Sequence, residues 1–406
     1  MHFFLYESLK TTTFAHRKQN TLFKTLLRLK KIYSKILLLF IAAVCTANLF
    51  AQSSQTFSVT SLNADGLPAT ILIVKVNEEG PGAKYSKVIS QYLTNHPVDF
   101  VGLQENFDFG KELYSSTSSI YLRDEFSGGI DLSLADFVNL KVPCDGLTGY
   151  WKKQHKVKME RVAWKENYGK FDHSNDDLCT KGFRRYELTT KDGIDLRLYN
   201  MHMDASTDED EAAGKDGPDR ECRLKQWIQL RDDIMAHMDD KPVIVMGDMN
   251  SYYARDEVKP NFIEAIQESG HATVSDVWIE LERDGQYPAH EDGPVMKDDD
   301  GWSRKGETLD KILYINPVNS NIRLRPISVN IDRTGYVRED GKTPLGDHFP
   351  LSATFVIEST TDIDNLYADD SRVEAIYSTD GRRFPRLQRG LNIVRMSDGT
   401  TRKIRY

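Results

Sequence analysis

Lys241-Pro-Val-Ile-Val-Met-Gly-Asp-Met-Asn-Ser251 is the stretch that decides how this chain folds. Val243 to Met246 is a short β-branched apolar run bounded by Pro242 and Gly247, which predicts a buried strand. Asp248 and Asn250 follow at once, two residues apart, so at a strand end they project the same way. A carboxylate and an amide aimed together from a rigid element can position a water and a metal-bound phosphate. An Asp/Asn pair after a strand is also ordinary turn chemistry, so its meaning depends on the rest of the chain.

Outward from this stretch, strand and helix patterns alternate. Phe57 to Asn63 repeats with period two, and Val98 to Gln104 reads as a second buried strand. Between them, Tyr85, Val88, Ile89 and Tyr92 recur at helical spacing within Lys84–Leu93. Residues 159–164, 182–188 and 194–201 predict antiparallel strands, with Lys191-Asp-Gly193 as a hairpin turn. Arg220 to Met238 carries a helical stripe of Leu224, Trp227, Ile228, Leu230, Ile234 and Met235. Residues 308–315, 324–330 and 350–357 complete the strands. The polar stretches Thr207–Asp219 and Asp284–Lys305 are expected to be surface loops.

The 406 residues, 39% hydrophobic and 28% charged, suit a globular protein with appendages. The net charge of -8 is unevenly spread. Residues 1–51 hold eight Lys/Arg against one Glu and residues 371–406 hold nine against three acids, leaving -21 on residues 52–370. So acidic a surface is a poor match for nucleic acid, although a bound divalent cation reverses the sign locally.

Both ends read as appendages. A basic stretch from Lys24 to Lys35, an apolar run from Ile36 to Val44 and small residues up to Ala51 have the order of a secretory signal. Residues 1–52 are therefore expected to be a signal peptide with a long basic leader, which predicts export from a bacterium to the periplasm, outer membrane or exterior. Residues 53–358 form the expected main domain and 359–371 a polar, acidic linker. Residues 372–406, with two strand–Asp-Gly–strand units, predict a small all-β module. Beyond the signal remain Cys144, Cys179 and Cys222. A Cys144–Cys179 disulfide is compatible with an oxidising compartment, and Cys222 in its helical pattern is expected to be buried.

Polar residues gather at predicted strand ends: Asn63 with Asp65, Glu105, His202 with Asp204, Asp248 with Asn250, Asp310, and Asp347 with His348. Collected at one edge of a sheet they would form a site, because the scaffold fixes them against one another. Ser-Leu-Asn63, Leu-Gln-Glu105, Asp-Gly-Leu147, Asn-Met-His202, Gly-Asp248-Met-Asn250, Leu-Asp310-Lys-Ile and Gly-Asp347-His348-Phe-Pro occur in the order in which a known pattern has them. Over roughly 57–357 the chain resembles the endonuclease/exonuclease/phosphatase superfamily, the DNase I-like fold. That resemblance implies a four-layered α/β sandwich of two mostly antiparallel sheets flanked by helices.

It also implies roles. Glu105 would be the main Mg²⁺ ligand, with Asn63 and Asp347 beside it; oxygen donors suit this hard cation, and Mn²⁺ could replace it. Asp248, assisted by Asn250, would orient the attacking water. His202 and His348 would meet the phosphoryl oxygens, and Asp310 would hold His348 in one tautomer. Tyr150 is a candidate for binding the substrate phosphate. No carboxylate partner for His202 is evident. The phrases Asp65-Gly-Leu-Pro68 and Glu105-Asn-Phe-Asp108 are closer to sphingomyelinase-like branches than to nuclease members. The tail resembles C-terminal modules read by bacterial secretion or sorting machinery.

The expectation is thus a secreted, monomeric, Mg²⁺-dependent phosphodiesterase acting on a lipid or small organic phosphate. A secreted nuclease with nucleic acid as its partner is the alternative, and a catalytically silent binding module is a third reading from another class.

Overall fold

Two parallel strand pairs organise the molecule. A computed structural model describes residues 55–71, 74–75, 77–125, 144–170, 172–288, 307–359, 373–378, 381–384, 391–396 and 401–405. In chain order the strands are β1 (Gln55–Asn63), β2 (Thr70–Ile71), β3 (Val74–Lys75), β4 (Phe100–Gln104), β5 (Tyr121–Arg123), β6 (Thr148–Lys152), β7 (Lys156–Ala163), β8 (Gly182–Thr189), β9 (Asp195–His202), β10 (Val243–Asp248), β11 (Ala272–Asp276), β12 (Asp310–Pro317), β13 (Ile322–Ile331) and β14 (Leu351–Ser359). One six-stranded sheet runs β13-β14-β1-β4-β6-β5 and the other β11-β12-β10-β9-β8-β7. Each is antiparallel except at its centre, where β1 pairs parallel with β4 and β9 with β10.

A parallel pair needs a long crossover, and a helix supplies each one. Helix α1 (Gly82–Asn95) joins β1 to β4 and α2 (Gly217–Ala236) joins β9 to β10. Helix α1 follows Pro81 and stops before Pro97, whose ring disfavours helical geometry in the residue ahead of it. Helix α2 starts a turn earlier than its apolar stripe suggests, because Pro218 sits comfortably in a first turn that needs no N–H partner. Part of the expected polar loop before it is a short helix, Asp208–Ala213. The Thr207 hydroxyl accepts the Asp210 N–H at 3.0 Å, and Gly214 closes the helix in the left-handed region.

Three apolar clusters give the layers. Leu62, Val101, Leu103 and Tyr150 pack with Ile89 and Leu93 of α1. Phe57, Val59, Phe100, Leu198, Ile244, Met246, Ile312 and Phe355 fill the space between the sheets. Tyr199, Met201, Val243, Val245 and Leu313 pack with Trp227, Leu230 and Ile234 of α2. Strand alternation explains the sorting: in β10, Ile244 and Met246 face the other sheet while Val243 and Val245 face α2. Burying each such side chain contributes about 1.5–3 kcal/mol. The result is the four-layered sandwich expected from the sequence.

The same alternation places the polar residues. Asn63 follows Phe57 and Val59 with period two, His202 follows Leu196 and Leu198, Asp248 follows Ile244 and Met246, and Asp310 precedes Ile312 and Tyr314. All four are therefore set toward the space between the sheets, at one end. Beneath them a buried polar layer links the sheets: Gln104 Nε2 donates to Asn200 Oδ1 at 2.6 Å, and Asn200 Nδ2 to Leu103 O at 3.0 Å. Gly102 makes that approach possible, since a Cβ there would lie 2.9 Å from Asn200 Oδ1.

The carboxyl-terminal residues form a sheet of four strands, Val373–Ser378, Arg383–Phe384, Leu391–Met396 and Thr401–Arg405, as expected of a β module. The expected signal segment and most of the linker lie outside the described residues, as do 126–143 and 289–306. Of the two alternatives left open for Cys144 and Cys179, the structure shows no disulfide between them, and Cys222 is buried. Cys144 and Cys179 do adjoin, the Thr180 N–H meeting Cys144 O at 3.0 Å.

Candidate active site

Asp248, His202 and Asp310 lie in one row across three strands. Asp248 pairs with His202 on its parallel side and with Asp310 on its antiparallel side. In the facing sheet Asn63 pairs with Gln104, which puts Glu105 beside it. His348 arrives just ahead of β14. The structure thus gathers Asn63, Glu105, His202, Asp248, Asn250, Asp310 and His348 from nearly three hundred residues of sequence.

Two turns of the same design aim the side chains. Asn63 Oδ1 accepts the Asp65 N–H at 3.0 Å, and Asp248 Oδ1 accepts the Asn250 N–H at 3.1 Å. Asp65, Asn250 and Glu105 all have positive φ, 47°, 46° and 50°. Non-glycine residues avoid this region, and such strain concentrates where side chains must be aimed for function. Gly66 locks the two loops of the first sheet together: its N–H reaches Glu105 O at 3.0 Å, and a Cβ there would lie 2.3 Å from that oxygen.

Asp248 is the hub. Its Oδ2 accepts Asn63 Nδ2 at 3.0 Å and lies 3.6 Å from His202 Nε2 and 3.5 Å from His348 Nε2. Burial pushes this carboxyl up, but the two imidazoles and the N–H donors outweigh it and hold it below the usual carboxylate range. His348 Nδ1 meets Asp310 Oδ2 at 2.7 Å. Burial opposes its charged form, yet Asp310 and Asp248 raise the imidazole well above its ordinary range, so His348 is a cation at neutral pH. This is the orienting role expected for Asp310.

His202, for which the sequence offers no carboxylate partner, has none at Nδ1 among the described residues, and that atom is buried without a hydrogen bond. Lys181 Nζ lies 3.2 Å and Asn250 Nδ2 3.3 Å from its Nε2, so that nitrogen is an acceptor. Burial and the Lys181 charge lower the imidazole to about 3, so His202 is neutral. The positive charge beside His202 resides on Lys181, a residue that sequence patterns do not single out. Lys181 is buried in an ion pair with Asp176, and the charges of Asp176 and Glu105 outweigh burial to keep it protonated. Asp176 also accepts the Ala205 N–H at 2.6 Å. A lysine just ahead of a strand, twenty-one residues before the histidine it touches, leaves no pattern to find.

Asn63 is at the site: its Nδ2 donates to Glu105 Oε1 at 2.9 Å as well as to Asp248, and its oxygen accepts the Asp65 N–H, so it links two carboxylates. Tyr150 is corrected: it is fully buried between the first sheet and α1, out of reach of a substrate. Asp204 is buried near Asp176 and Lys181 and accepts the Tyr168 N–H at 2.7 Å. Asp145 is structural, joined to Arg184 by two bonds of 2.9 Å.

Asp248, Asp310 and His348 are close enough together to suggest a metal group, but the 2.7 Å Asp310–His348 bond already commits two of the three to each other. Glu105 and Asp347 are the carboxylates left uncommitted, and the charge of Asp347 acts on Glu105. Burial and the Asp347 charge push the Glu105 carboxyl up to about 7, a cost that a hard divalent cation between them would remove. Glu105 is 20% exposed and His348 18%, against 2% for both Asp248 and His202. A ligand would therefore enter from the side of Glu105 and His348 and reach down to Asp248.

No family model and no curated protein matches this sequence. Among solved structures the chain is similar to humanized TDP2 of D. rerio, with 17% identity, 74% of this chain and 98% of that one covered, and a TM-score of 0.49. It is similar to a variant of beta toxin from Staphylococcus aureus with bound magnesium ions, at 18%, 74% and 99%, and 0.47. A third is the endonuclease/exonuclease/phosphatase from Bacteroides vulgatus, at 14%, 75% and 100%, and 0.46. The two six-stranded sheets with helices outside, and the ordered motif residues brought to one edge, are the four-layered α/β architecture that the sequence resemblance implied.

Proposed function

We propose that this protein is a secreted, Mg²⁺-dependent phosphoric ester hydrolase that cleaves a phosphodiester of a lipid or small organic compound. The observation that carries the reading is the set of contacts around Asp248, whose Oδ2 is shared by Asn63, His202 and His348 within 3.6 Å. Such a constellation on two rigid sheets is costly to maintain without chemistry to perform, which argues against a silent binding module.

Phosphoryl transfer depends on in-line placement and charge neutralisation more than on a protein nucleophile. Asp248, ionised and held below the usual range, is a weak base. It orients the attacking water by accepting its hydrogen bond, with the neighbouring Asn250 amide as a second contact. The water oxygen bonds to phosphorus as the bond to the departing alkoxide oxygen breaks, and the proton that the water gives up, passed to Asp248 and solvent, is balanced by one that ends on the alkoxide to release the alcohol. The His348 cation, fixed by Asp310, faces the phosphoryl oxygens, and Lys181 adds a second fixed charge behind His202. Glu105 and Asp347 would hold the Mg²⁺, which when bound supplies a Lewis acid to the phosphoryl group.

The charge of -21 on residues 52–370 favours a lipid or small phosphoester over nucleic acid. A secreted nuclease is the alternative reading; TDP2 of D. rerio, one of the similar structures, was determined in complex with a single-strand DNA product. Initial rates with Mg²⁺ on sphingomyelin, inositol phosphates and DNA decide between them. Dominant cleavage of DNA would reverse the order, and activity surviving EDTA would reject the metal.

A further inference from the structure

Asn77, which no motif singles out, reaches back twelve residues to the edge that carries the site. It closes the base of the short hairpin of β2 and β3, its N–H meeting Ala69 O at 3.3 Å. Its amide does more than that. Nδ2 donates to Asp65 Oδ1 at 2.5 Å, with Asp65 O at 3.3 Å and Leu67 O at 3.4 Å also in reach. The chain wraps closely around this amide, since a Cβ built on Gly80 would lie 2.3 Å from Asn77 Nδ2. The hairpin itself uses only the Asn77 N–H; the bond to the Asp65 carboxylate is additional.

Asp65 is where three segments meet. Its N–H completes the Asn63 turn at 3.0 Å, and its φ of 47° is one that non-glycine residues avoid unless the surroundings impose it. The next residue, Gly66, is bonded to Glu105 O at 3.0 Å. On the far side, a Cβ built on Gly346 would lie 3.3 Å from Asp65 Cβ and 3.7 Å from Asp65 Oδ2, so the main chain just ahead of Asp347 rests against this side chain. The Asp347 N–H donates to the same carboxylate. Oδ1 is taken by Asn77, and Oδ2 is the oxygen beside Gly346.

We propose that Asn77 is a positioning residue: by holding Asp65 Oδ1 it fixes the side chain against which the Gly346–Asp347 main chain is seated, and so sets Asp347 beside Glu105 for the cation. The proposal rests on the metal-binding reading of Glu105 and Asp347 given above. An amide suits the task, because it donates a hydrogen bond without adding a positive charge next to the cation. Partners that orient a ligating carboxylate are typically worth about 10–100-fold in metal affinity.

The test is calorimetric titration of Mg²⁺ and Mn²⁺ into the metal-free full chain and its Asn77→Ala, Asn77→Ser, Asp65→Ala, Asp65→Ala/Asn77→Ala and Asp347→Asn variants. Asn77→Ala should bind metal at least tenfold more weakly. In the Asp65→Ala background the same change should cost nothing further, because Asn77 acts only through that carboxylate. Equal losses in both backgrounds would make Asn77 a part of the hairpin alone and overturn the proposal. Asn77→Ser, too short to reach Asp65, should repeat the loss, and it decides the question if Asn77→Ala fails to fold. Wild-type affinity in the Asn77 variants beside a weakened Asp347→Asn overturns the role of Asn77 and leaves the metal site standing. Wild-type affinity in Asp347→Asn overturns both.

Discussion

Lys181 Nζ lies 3.2 Å from His202 Nε2, so a buried ammonium ion sits closer to this nitrogen than the Asp248 carboxylate at 3.6 Å. Burial and the ammonium charge hold the imidazole at about 3 against an ordinary 6.5. The folded pKa is depressed, so the unfolded chain binds more protons between these values and stability is lost as pH falls through that window. In a Lys181→Met/Asp176→Asn double variant the window should narrow and His202 should titrate at higher pH, as read from its imidazole proton resonances. Lys181→Met alone should be less stable than the double variant, because breaking a buried pair from one side costs about 3–5 kcal/mol. Equal stabilities would mean that Asp176 and Lys181 do not act as a pair.

Asp310 should govern the pH range of catalysis through His348. Its 2.7 Å bond and charge keep the imidazole protonated well above the usual range. Asp310→Asn keeps the shape and removes the charge. The alkaline limb of the kcat profile should then move to lower pH, with kcat at neutral pH down by about 10²–10⁴. His348→Ala should lower kcat by at least as much and leave no such limb to move. An unchanged profile in Asp310→Asn would show that His348 does not work as a cation.

How much of the fold and site is legible in the sequence depends on which physical rule places each residue. Asn63, His202, Asp248 and Asp310 are readable because each extends a period-two apolar run, so alternation alone sets it toward the space between the sheets. Tyr150 is misplaced by sequence because alternation in β6 gives two faces without saying which one is inner. Only its pairing with Val101 places it on the α1 side. Asn63 is found, but whether its amide offers oxygen or nitrogen depends on the Asp65 turn and on two carboxylates from distant strands. Lys181 carries no signal, since its partners Asp176 and His202 become neighbours only when the segment ahead of β8 folds back over the end of β9. Strand ends follow from local pattern, whereas buried ion pairs across the fold do not.

Glu105 should couple metal binding to proton release. Its carboxyl sits near 7, above the ordinary 4.5, through burial and then Asp347. The native chain therefore holds more protons than the unfolded chain between those values, and this contribution to stability is lost as pH rises through the window. A metal needs the carboxylate. Titration calorimetry at pH 6 in buffers of different ionisation enthalpy should show Mg²⁺ releasing protons, with the release gone by pH 8.5 and absent in Glu105→Gln. Mg²⁺ should also raise Tm more at pH 8 than at pH 5.5. Buffer-independent enthalpies at pH 6 would remove Glu105 from the ligand set.

The two sheets divide the work, and a glycine separates their contributions. Glu105 and Asp347 hang on the first sheet, while His202, Asp248, Asn250 and Asp310 belong to the second. Gly247, at φ 153°, lets β10 pass close to β9; a Cβ there would lie 2.1 Å from Met201 O, which is backbone and cannot turn aside. Gly247→Ala must therefore push Asp248 away from His202, at a typical overpacking cost of about 1–3 kcal/mol. Metal affinity should stay near wild type because the first sheet is untouched, while kcat falls at least a hundredfold, since small displacements of a positioned group cost that much. Loss of metal affinity in parallel with kcat would show that Asp248 is itself a ligand, and the division of labour between the sheets would have to be redrawn.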